Sequence, residues 1–198
     1  MKKFLFLILI MAAAIFAWLW FTSEDGVDDA QATAQTVEVM DNVASKQYDW
    51  LLDNVGYDLF EEAGANPSST PLDFRFGNGD GEMSDRRLYR VSHDVMVNAL
   101  VGTPEKLAQL QRDFLYIESV PEKDGWGHNL EFYVYKGPAM DNGPFFVIRS
   151  PGNDGVFSTP PNYIEADVTA DGYRFDDFGD DIVRTEKGFY VPSNAATR

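Results

Sequence analysis

The chain has 198 residues and a formal net charge of −16, from 16 Lys and Arg against 32 Asp and Glu. This length suits one compact domain with a short appendage, and 44% hydrophobic residues can build a core, which excludes a wholly disordered acidic chain. The negative charge argues against nucleic acid as a partner, because phosphates need a basic protein face. The absence of cysteine excludes disulfides, thiolate zinc sites and cysteine nucleophiles.

The N-terminus carries a membrane or secretory signal. Two lysines precede an uncharged apolar run over residues 4–21, whose length lies between those of a signal peptide and a membrane-spanning helix. The run continues through Trp18 and Trp20, which suits a membrane interface, so we expect an uncleaved anchor over residues 1–22. The positive-inside rule then predicts that the N-terminal tail stays in the cytoplasm and that the folded part lies beyond the membrane, whether or not the segment is cleaved.

An acidic linker over residues 23–29 is followed by a helical pattern. Apolar side chains recur at steps of three and four residues, which predicts a long amphipathic helix within residues 30–65. The apolar positions of this stripe are Val37, Met40, Ala44, Tyr48, Leu51, Val55 and Leu59. We expect the stripe to pack on a sheet, and a seam with a partner helix is the alternative.

Residues 66–119 are interpreted as a variable region of loops and short helices. Ser84 can cap a helix there, although a strand over residues 88–91 is the alternative. A second helix is predicted to begin at Thr103 and Pro104, since proline suits the first turn of a helix. This second helix is expected to bury the apolar side chains Leu107, Leu110 and Phe114.

Strand patterns dominate residues 120–198. Apolar and polar residues alternate over residues 130–135, and a second strand returns over residues 145–148 after a glycine-containing turn. Shorter strands are predicted over residues 72–76 and 189–191. The sequence therefore predicts an α+β fold with an N-terminal hydrophobic helix and a long amphipathic helix packed on a small antiparallel β-sheet.

Two acidic turns that contain glycine flank the end of the second strand. One covers residues 150–155 and includes Asp154, and the other covers residues 176–182 and includes Asp180 and Asp181. Calcium takes six to eight oxygens from carboxylates and backbone carbonyls, and glycine turns allow carbonyls to converge. The residue types alone leave two interpretations open, a calcium site and a solvated acidic loop.

Three short motifs occur in a fixed order in this part of the chain. They are Asp-Gly-Trp-Gly-His-Asn-Leu at residues 124–130, Ser-Pro-Gly-Asn-Asp-Gly at residues 150–155 and Asp-Asp-Ile at residues 180–182. Over about residues 120–183 the chain resembles the C-terminal domain of the G-type, or major, pseudopilins of type II secretion. The resemblance implies a pseudopilin-like fold with a calcium-binding loop. The Ca²⁺ ligands that it implies are the carboxylates of Asp154, Asp180 and Asp181 and the carbonyls of Pro151 and Ile182.

The chain departs from the family pattern in three places. Gly125 stands where the family has proline, a change that we expect to affect only loop stiffness. Residues 156–179 replace a short loop and bring further carboxylates, any of which could replace one of the implied calcium ligands: Glu165, Asp167, Asp171, Asp176 and Asp177. No glycine precedes Gly26 and no acidic residue precedes Glu24, so the chain lacks the prepilin peptidase motif and the glutamate that helps register subunits in a fibre. We therefore do not expect processing as a standard filament subunit.

The resemblance implies a non-enzymatic, membrane-anchored extracytoplasmic protein with a structural calcium site. It would be a single-pass protein of the bacterial inner membrane with its C-terminal domain in the periplasm, or a periplasmic protein if the N-terminal segment is cleaved. Its role would be type II secretion or a related pilus-like envelope assembly, with the inner membrane, other pseudopilins and secretion-apparatus proteins as partners. The alternative is a stand-alone periplasmic binding or interaction module that reuses the domain without filament assembly. An enzyme is not expected, because His93 and Asp94 would point about 100° apart on a helix and could not pair.

Overall fold

The computed structural model describes residues 28–54, 71–77, 83–135, 145–158, 164–169, 172–174, 178–186 and 188–190. These residues form an α+β fold, which confirms the predicted class. The helices are α1 (Asp29–Asp53), α2 (His93–Leu100) and α3 (Pro104–Leu110). The strands are β1 (Leu72–Gly77), β2 (Met83–Val91), β3 (Glu131–Tyr135), β4 (Phe146–Ser150), β5 (Ile164–Thr169), β6 (Gly172–Arg174), β7 (Ile182–Thr185) and β8 (Gly188–Tyr190).

The predicted membrane anchor lies outside the described residues. Among the helices that the structure does describe, none is long and apolar enough to cross a membrane. The anchor over residues 1–22 therefore stays a prediction.

The strands form one sheet in the order β6-β5-β1-β2-β3-β4-β7-β8. Neighbouring strands are antiparallel except β1 and β5, which are parallel. The two outermost strands, β6 and β8, lie close to each other, so the sheet curls. It therefore has an outer face, covered by helices, and an inner face that is enclosed by the curl.

Both faces of the sheet carry buried side chains. On the outer face, Met40 and Trp50 of α1 and Met96 of α2 pack against apolar residues of β3, β4 and β7. The inner face holds a second apolar cluster of Leu72, Phe74, Leu88, Tyr133, Val147, Phe178 and Val183. Because the central strands are enclosed on both faces, the polar members of their alternating pattern are buried as well: Glu131 is 8% exposed.

Helix α1 begins close to its predicted start, with Asp28 as N-cap accepting a hydrogen bond from the Ala30 N–H at 3.0 Å. Its buried face is turned from the predicted stripe and comprises Ala32, Thr36, Met40, Val43, Ala44, Gln47 and Trp50. Tyr48, expected on the buried stripe, is 44% exposed, and Val55 and Leu59 of the same stripe lie outside the described residues. The prediction at Tyr48 is wrong because Trp50, a larger apolar side chain, is the one that faces the core.

The prediction of a helix that begins at Ser84 is wrong. Residues 83–91 form β2, which pairs with β1 on one side and β3 on the other, so the strand alternative is confirmed. The helix begins only at His93, where the Ser92 hydroxyl caps the Val95 N–H at 3.4 Å. Leu88 lies in the strand and the later apolar residues lie in the helix, but together they recur at helical spacing. The sequence therefore predicted one continuous helix.

Helix α3 confirms the predicted start, with the Thr103 hydroxyl accepting from the Lys106 N–H at 3.3 Å and Pro104 in the first turn. The expected burial of its apolar side chains is wrong. Leu110 is 49% and Phe114 37% exposed. The helix has only seven residues and ends at Gln111 in the left-handed conformation, so it lies on the surface.

The predicted strands near residues 72–76, 130–135, 145–148 and 189–191 are confirmed as β1, β3, β4 and β8. Three further strands were not predicted. Strand β7 follows the Asp-Asp-Ile motif and pairs with β4, with Ser150 opposite Ile182. Strands β5 and β6 belong to the insertion over residues 156–179, and β5 joins the sheet beside β1.

Candidate functional site

The two acidic turns of the predicted calcium site lie side by side. The pairing of Ser150 with Ile182 places the turn that leaves β4 next to the turn that enters β7. Gly152 approaches the other turn so closely that a Cβ there would lie 3.0 Å from the Asp180 carbonyl oxygen. Pro151, which leaves β4, is buried at this junction.

Asp181 is fully buried, and both of its carboxylate oxygens have protein donors. The Nε of Arg149 donates to Oδ2, and the Ser158 N–H donates to Oδ1 at 3.2 Å. Burial raises the pKa of Asp181 to about 6, an effect larger than the opposing one of Arg149. A carboxylate held in this way is a poor calcium ligand, because each oxygen already accepts one hydrogen bond and the guanidinium of Arg149 beside it would repel a divalent cation.

The other predicted carboxylates are more accessible. Asp154 is exposed, and its Oδ1 accepts the Val156 N–H at 2.8 Å. Asp180 is half-buried and its Oδ1 accepts the Ser158 hydroxyl at 3.4 Å. Within the described residues, no group of three or more His, Asp and Glu side chains is arranged to hold a metal ion. The calcium site at Asp154, Asp180, Asp181 and the carbonyls of Pro151 and Ile182 therefore stays a prediction.

Arg149 connects Asp181 to a chain of charged and polar side chains, which we call the inner-face network: Arg90, Glu131, Tyr133, Arg149 and Asp181. All of them are buried except Arg90, whose side chain is 46% exposed. Glu131 pairs with Arg90 Nη1 at 2.9 Å and lies 3.9 Å from Arg149 Nη1. Its Oε2 accepts the Tyr133 hydroxyl at 2.8 Å, and burial, together with this carboxylate, raises the pKa of Tyr133 well above its usual value. Arg149 was not predicted as a functional residue, although a charge within the otherwise apolar strand Phe146–Ser150 was a usable signal.

The Asp-Gly-Trp-Gly motif is organised by the buried carboxylate of Asp124. Its Oδ1 accepts the N–H groups of Trp126 at 3.0 Å and His128 at 2.8 Å. Its Oδ2 accepts the Ser150 hydroxyl at 2.7 Å, and the His128 ring bonds the Gly152 carbonyl at 2.9 Å. The motif therefore fixes the turn over residues 124–128 and ties it to the turn that leaves β4.

The first turn of α1 is fastened to the same two turns, in a contact that we call the helix joint: Asp29, Ala32 and Thr36 of α1 with Gly125, Trp126 and Asn153. Asp29 accepts the Trp126 indole N–H and the Asn153 amide, both at 3.2 Å. Trp126 also packs against the apolar cluster on the outer face of the sheet.

Gly125 sits at the closest point of the helix joint. Its N–H donates to the Thr36 hydroxyl at 2.8 Å, and a Cβ would lie 2.2 Å from the Ala32 carbonyl oxygen. The expectation that Gly125 affects only loop stiffness is therefore too narrow. Proline could not donate this hydrogen bond, and its side chain would enter the helix backbone.

The histidines have structural contacts. His93 Nε2 bonds the Val120 carbonyl at 2.7 Å, and the His128 ring lies against Gly155, where a Cβ would be 2.9 Å from Nε2. These contacts attach α2 and the turn over residues 124–128 to neighbouring loops.

The chain matches no protein-family model, no curated protein and no solved structure. The functional argument therefore depends on the three motifs and on the contacts described above.

Proposed function

We propose that the chain is a non-enzymatic, membrane-anchored extracytoplasmic protein of pseudopilin-like type that takes part in type II secretion or a related pilus-like envelope assembly. The observation that supports this proposal best is the helix joint. Asp29, the last residue of the predicted acidic linker, begins α1, and its carboxylate accepts hydrogen bonds from Trp126 and Asn153 of two sheet turns. The sheet is thereby attached at the end of the helix that the predicted anchor would reach.

A rigid joint of this kind suits an assembly subunit. Helix α1 has 25 residues and so extends about 37 Å, at 1.5 Å per residue. Its contacts with β4, β7 and α2 hold it along the sheet. The orientation of the membrane segment would then determine the orientation of the sheet, which a subunit packed beside its neighbours requires and a tethered enzyme does not.

Calcium belongs to this proposal as a separate part. Of the implied ligands, Asp154 and Asp180 with the carbonyls of Pro151 and Ile182 would hold the ion, since Asp181 bonds Arg149 and Ser158. A bound ion would neutralise carboxylates of two adjacent turns, and its binding free energy would add to folding stability. Extracytoplasmic modules typically bind calcium at about 10⁻⁴–10⁻³ M.

The alternative function is a stand-alone periplasmic binding or interaction module that reuses the domain. One sequence observation favours it: the apolar run over residues 4–21 contains no acidic residue, whereas pseudopilins carry a glutamate there. Without that carboxylate the helix lacks the group that helps register subunits in a fibre.

Cross-linking of the full-length chain in membranes would distinguish the two functions. Because the chain has no cysteine, a single introduced thiol is its only reactive site. Leu52→Cys on α1 and Val156→Cys beside the acidic turn place thiols at positions 57% and 66% exposed. The assembly proposal expects Leu52→Cys to cross-link to other pseudopilins or secretion-apparatus proteins, identified by mass spectrometry. A monomer without such adducts at either position would contradict it and favour the stand-alone module.

A further inference from the structure

The insertion between β4 and β7 leaves and re-enters the sheet at a single point. It departs through residues 156–158, contributes β5 and β6 at the far end of the sheet, and returns through residues 178–181. A Cβ on Gly179 would lie 2.4 Å from the Ser158 hydroxyl oxygen, so the departing and returning segments touch. We call these two segments the insertion neck.

One guanidinium bonds both sides of the insertion neck. Arg149 donates through Nε to Asp181 on the returning segment and through Nη2 to the Ser158 carbonyl on the departing segment. The Ser158 N–H donates to the other Asp181 oxygen at 3.2 Å, which completes a ring of three contacts. A calcium ion that bridged two turns would use the same kinds of ligand, a carboxylate from one turn and a backbone carbonyl from the other.

The surroundings of Arg149 strengthen these contacts. Its side chain is 3% exposed, and its guanidinium carbon lies 5.0 Å from the centre of the Phe157 ring and 5.1 Å from that of Phe178. Apolar rings on the departing and returning segments exclude water, and hydrogen bonds between ionised groups are stronger when water is excluded. A divalent ion on Asp181 would lie within a few ångströms of this guanidinium and would be repelled by it.

The charges of the inner-face network also balance without a metal ion. Glu131 has Arg90 as its close cation at 2.9 Å, and Asp181 has Arg149. Two carboxylates thus face two guanidinium groups. Asp181 needs no further positive charge, in contrast to what the resemblance implies for it.

We infer that Arg149 is the cation that closes the insertion neck, and that it occupies the role at Asp181 that the resemblance gives to calcium. The comparison with calcium rests on the proposed function, but the closure by Arg149 does not. Any calcium ion would then bind only the carboxylates of Asp154 and Asp180 and the carbonyls of Pro151 and Ile182.

A double-mutant cycle on the full-length chain in detergent tests this inference. The parent chain, Arg149→Met, Asp181→Asn and the double variant are unfolded by heat and followed by tryptophan fluorescence. Breaking a buried ion pair on one side leaves an uncompensated charge, so Arg149→Met should lower the midpoint by roughly 10 °C. The double variant should unfold at a higher midpoint than Arg149→Met, because it removes the stranded carboxylate.

The matched control is Arg87→Met. Arg87 also forms a two-point ion pair, with Asp73 at 2.6 and 2.8 Å, but its side chain is 55% exposed, so little change is expected. Arg149→Lys is the second test variant, because lysine keeps the charge but cannot hold Asp181 and Ser158 with the same fork. A midpoint for Arg149→Lys equal to that of the parent, or losses that simply add in the double variant, would overturn the inference.

The effect of added calcium on the unfolding midpoint is an independent test of the inference. Added calcium should act equally on the parent and on Asp181→Asn, since Asp181 is bound to Arg149. A calcium-dependent rise that Asp181→Asn abolishes would overturn the inference. Failure of the cross-linking experiment would instead count against the proposed function, so the two outcomes are distinguishable.

Discussion

Gly125 is the residue at which α1 and the turn over residues 124–128 meet through backbone atoms. A Cβ would lie 2.2 Å from the Ala32 carbonyl oxygen, and no side-chain rotation can relieve contact with backbone. We expect Gly125→Ala to lower the free energy of unfolding by about 3 kcal/mol, at the upper end of overpacking effects. Gly127→Ala is the control in the same turn: it has open space but a φ of 88°, so strain alone should cost about 1 kcal/mol.

Urea denaturation of the two glycine variants measures this difference directly. Equal losses in the two variants would show that α1 moves away from Gly125 without cost, and the helix joint would then not be rigid. Such a result would remove the main support for the assembly proposal.

Asp181 gives the free energy of unfolding a pH dependence of definite sign. Burial raises its pKa from 3.8 to about 6, so between these pH values the folded chain binds more protons at this group than the unfolded chain. Its contribution to the free energy of unfolding is therefore full below about pH 4 and is lost as the pH rises through 6. The loss is at most about 3 kcal/mol.

Asp181→Asn removes this titration. The stability of the parent relative to Asp181→Asn should fall between about pH 4 and about pH 7, as measured by urea denaturation. A relative stability that grows with pH would mean that the Arg149 ion pair outweighs burial.

Among the elements, those with local signals were predictable from the sequence. The alternation in β3 and the proline and threonine at the start of α3 both identify their elements without reference to partners. Strand β2 lacks such a signal, because Arg86 occupies a buried position that only the enclosed inner face explains: it is 4% exposed, and its guanidinium carbon lies 4.0 Å from the centre of the Tyr135 ring. Its assignment depends on neighbouring strands that are distant in sequence.

The candidate site divides in the same way. Its position was predictable because glycines and carboxylates recur in two turns, and the pairing of β4 with β7 does bring these turns together. The partner of Asp181 was not predictable, since Arg149 lies 32 residues away in the sequence and is brought next to it by the pairing of β4 with β7. A motif identifies which side chains are near one another, but the balance of charge around them depends on the assembled sheet.

At the level of the helix, Trp50 rather than Tyr48 should control the docking of α1. Trp50 is 1% exposed and belongs to the apolar cluster on the outer face of the sheet, whereas Leu52, two residues later, is 57% exposed. We expect Trp50→Ala to lower the free energy of unfolding by about 3–5 kcal/mol, because it removes a large buried side chain and leaves a cavity. Leu52→Ala, the control on the opposite side of α1, should change it by less than about 0.5 kcal/mol. Comparable losses in the two variants would mean that the exposed side of α1 is also buried in solution.

For the whole molecule, the net charge of −16 makes salt and calcium effects easy to confuse. Self-repulsion weakens the compact state, so sodium chloride alone should raise the unfolding midpoint by screening. Specific calcium binding must therefore be measured against magnesium at matched ionic strength.

If calcium binds at the predicted site, millimolar calcium should raise the unfolding midpoint further than magnesium does, because magnesium dehydrates reluctantly and demands octahedral geometry. The rise should disappear in Asp154→Asn, whose side chain is exposed and whose loss leaves the inner-face network intact. Equal effects of the two ions would attribute the whole response to screening, and the acidic turns would then be a solvated loop closed from within by Arg149.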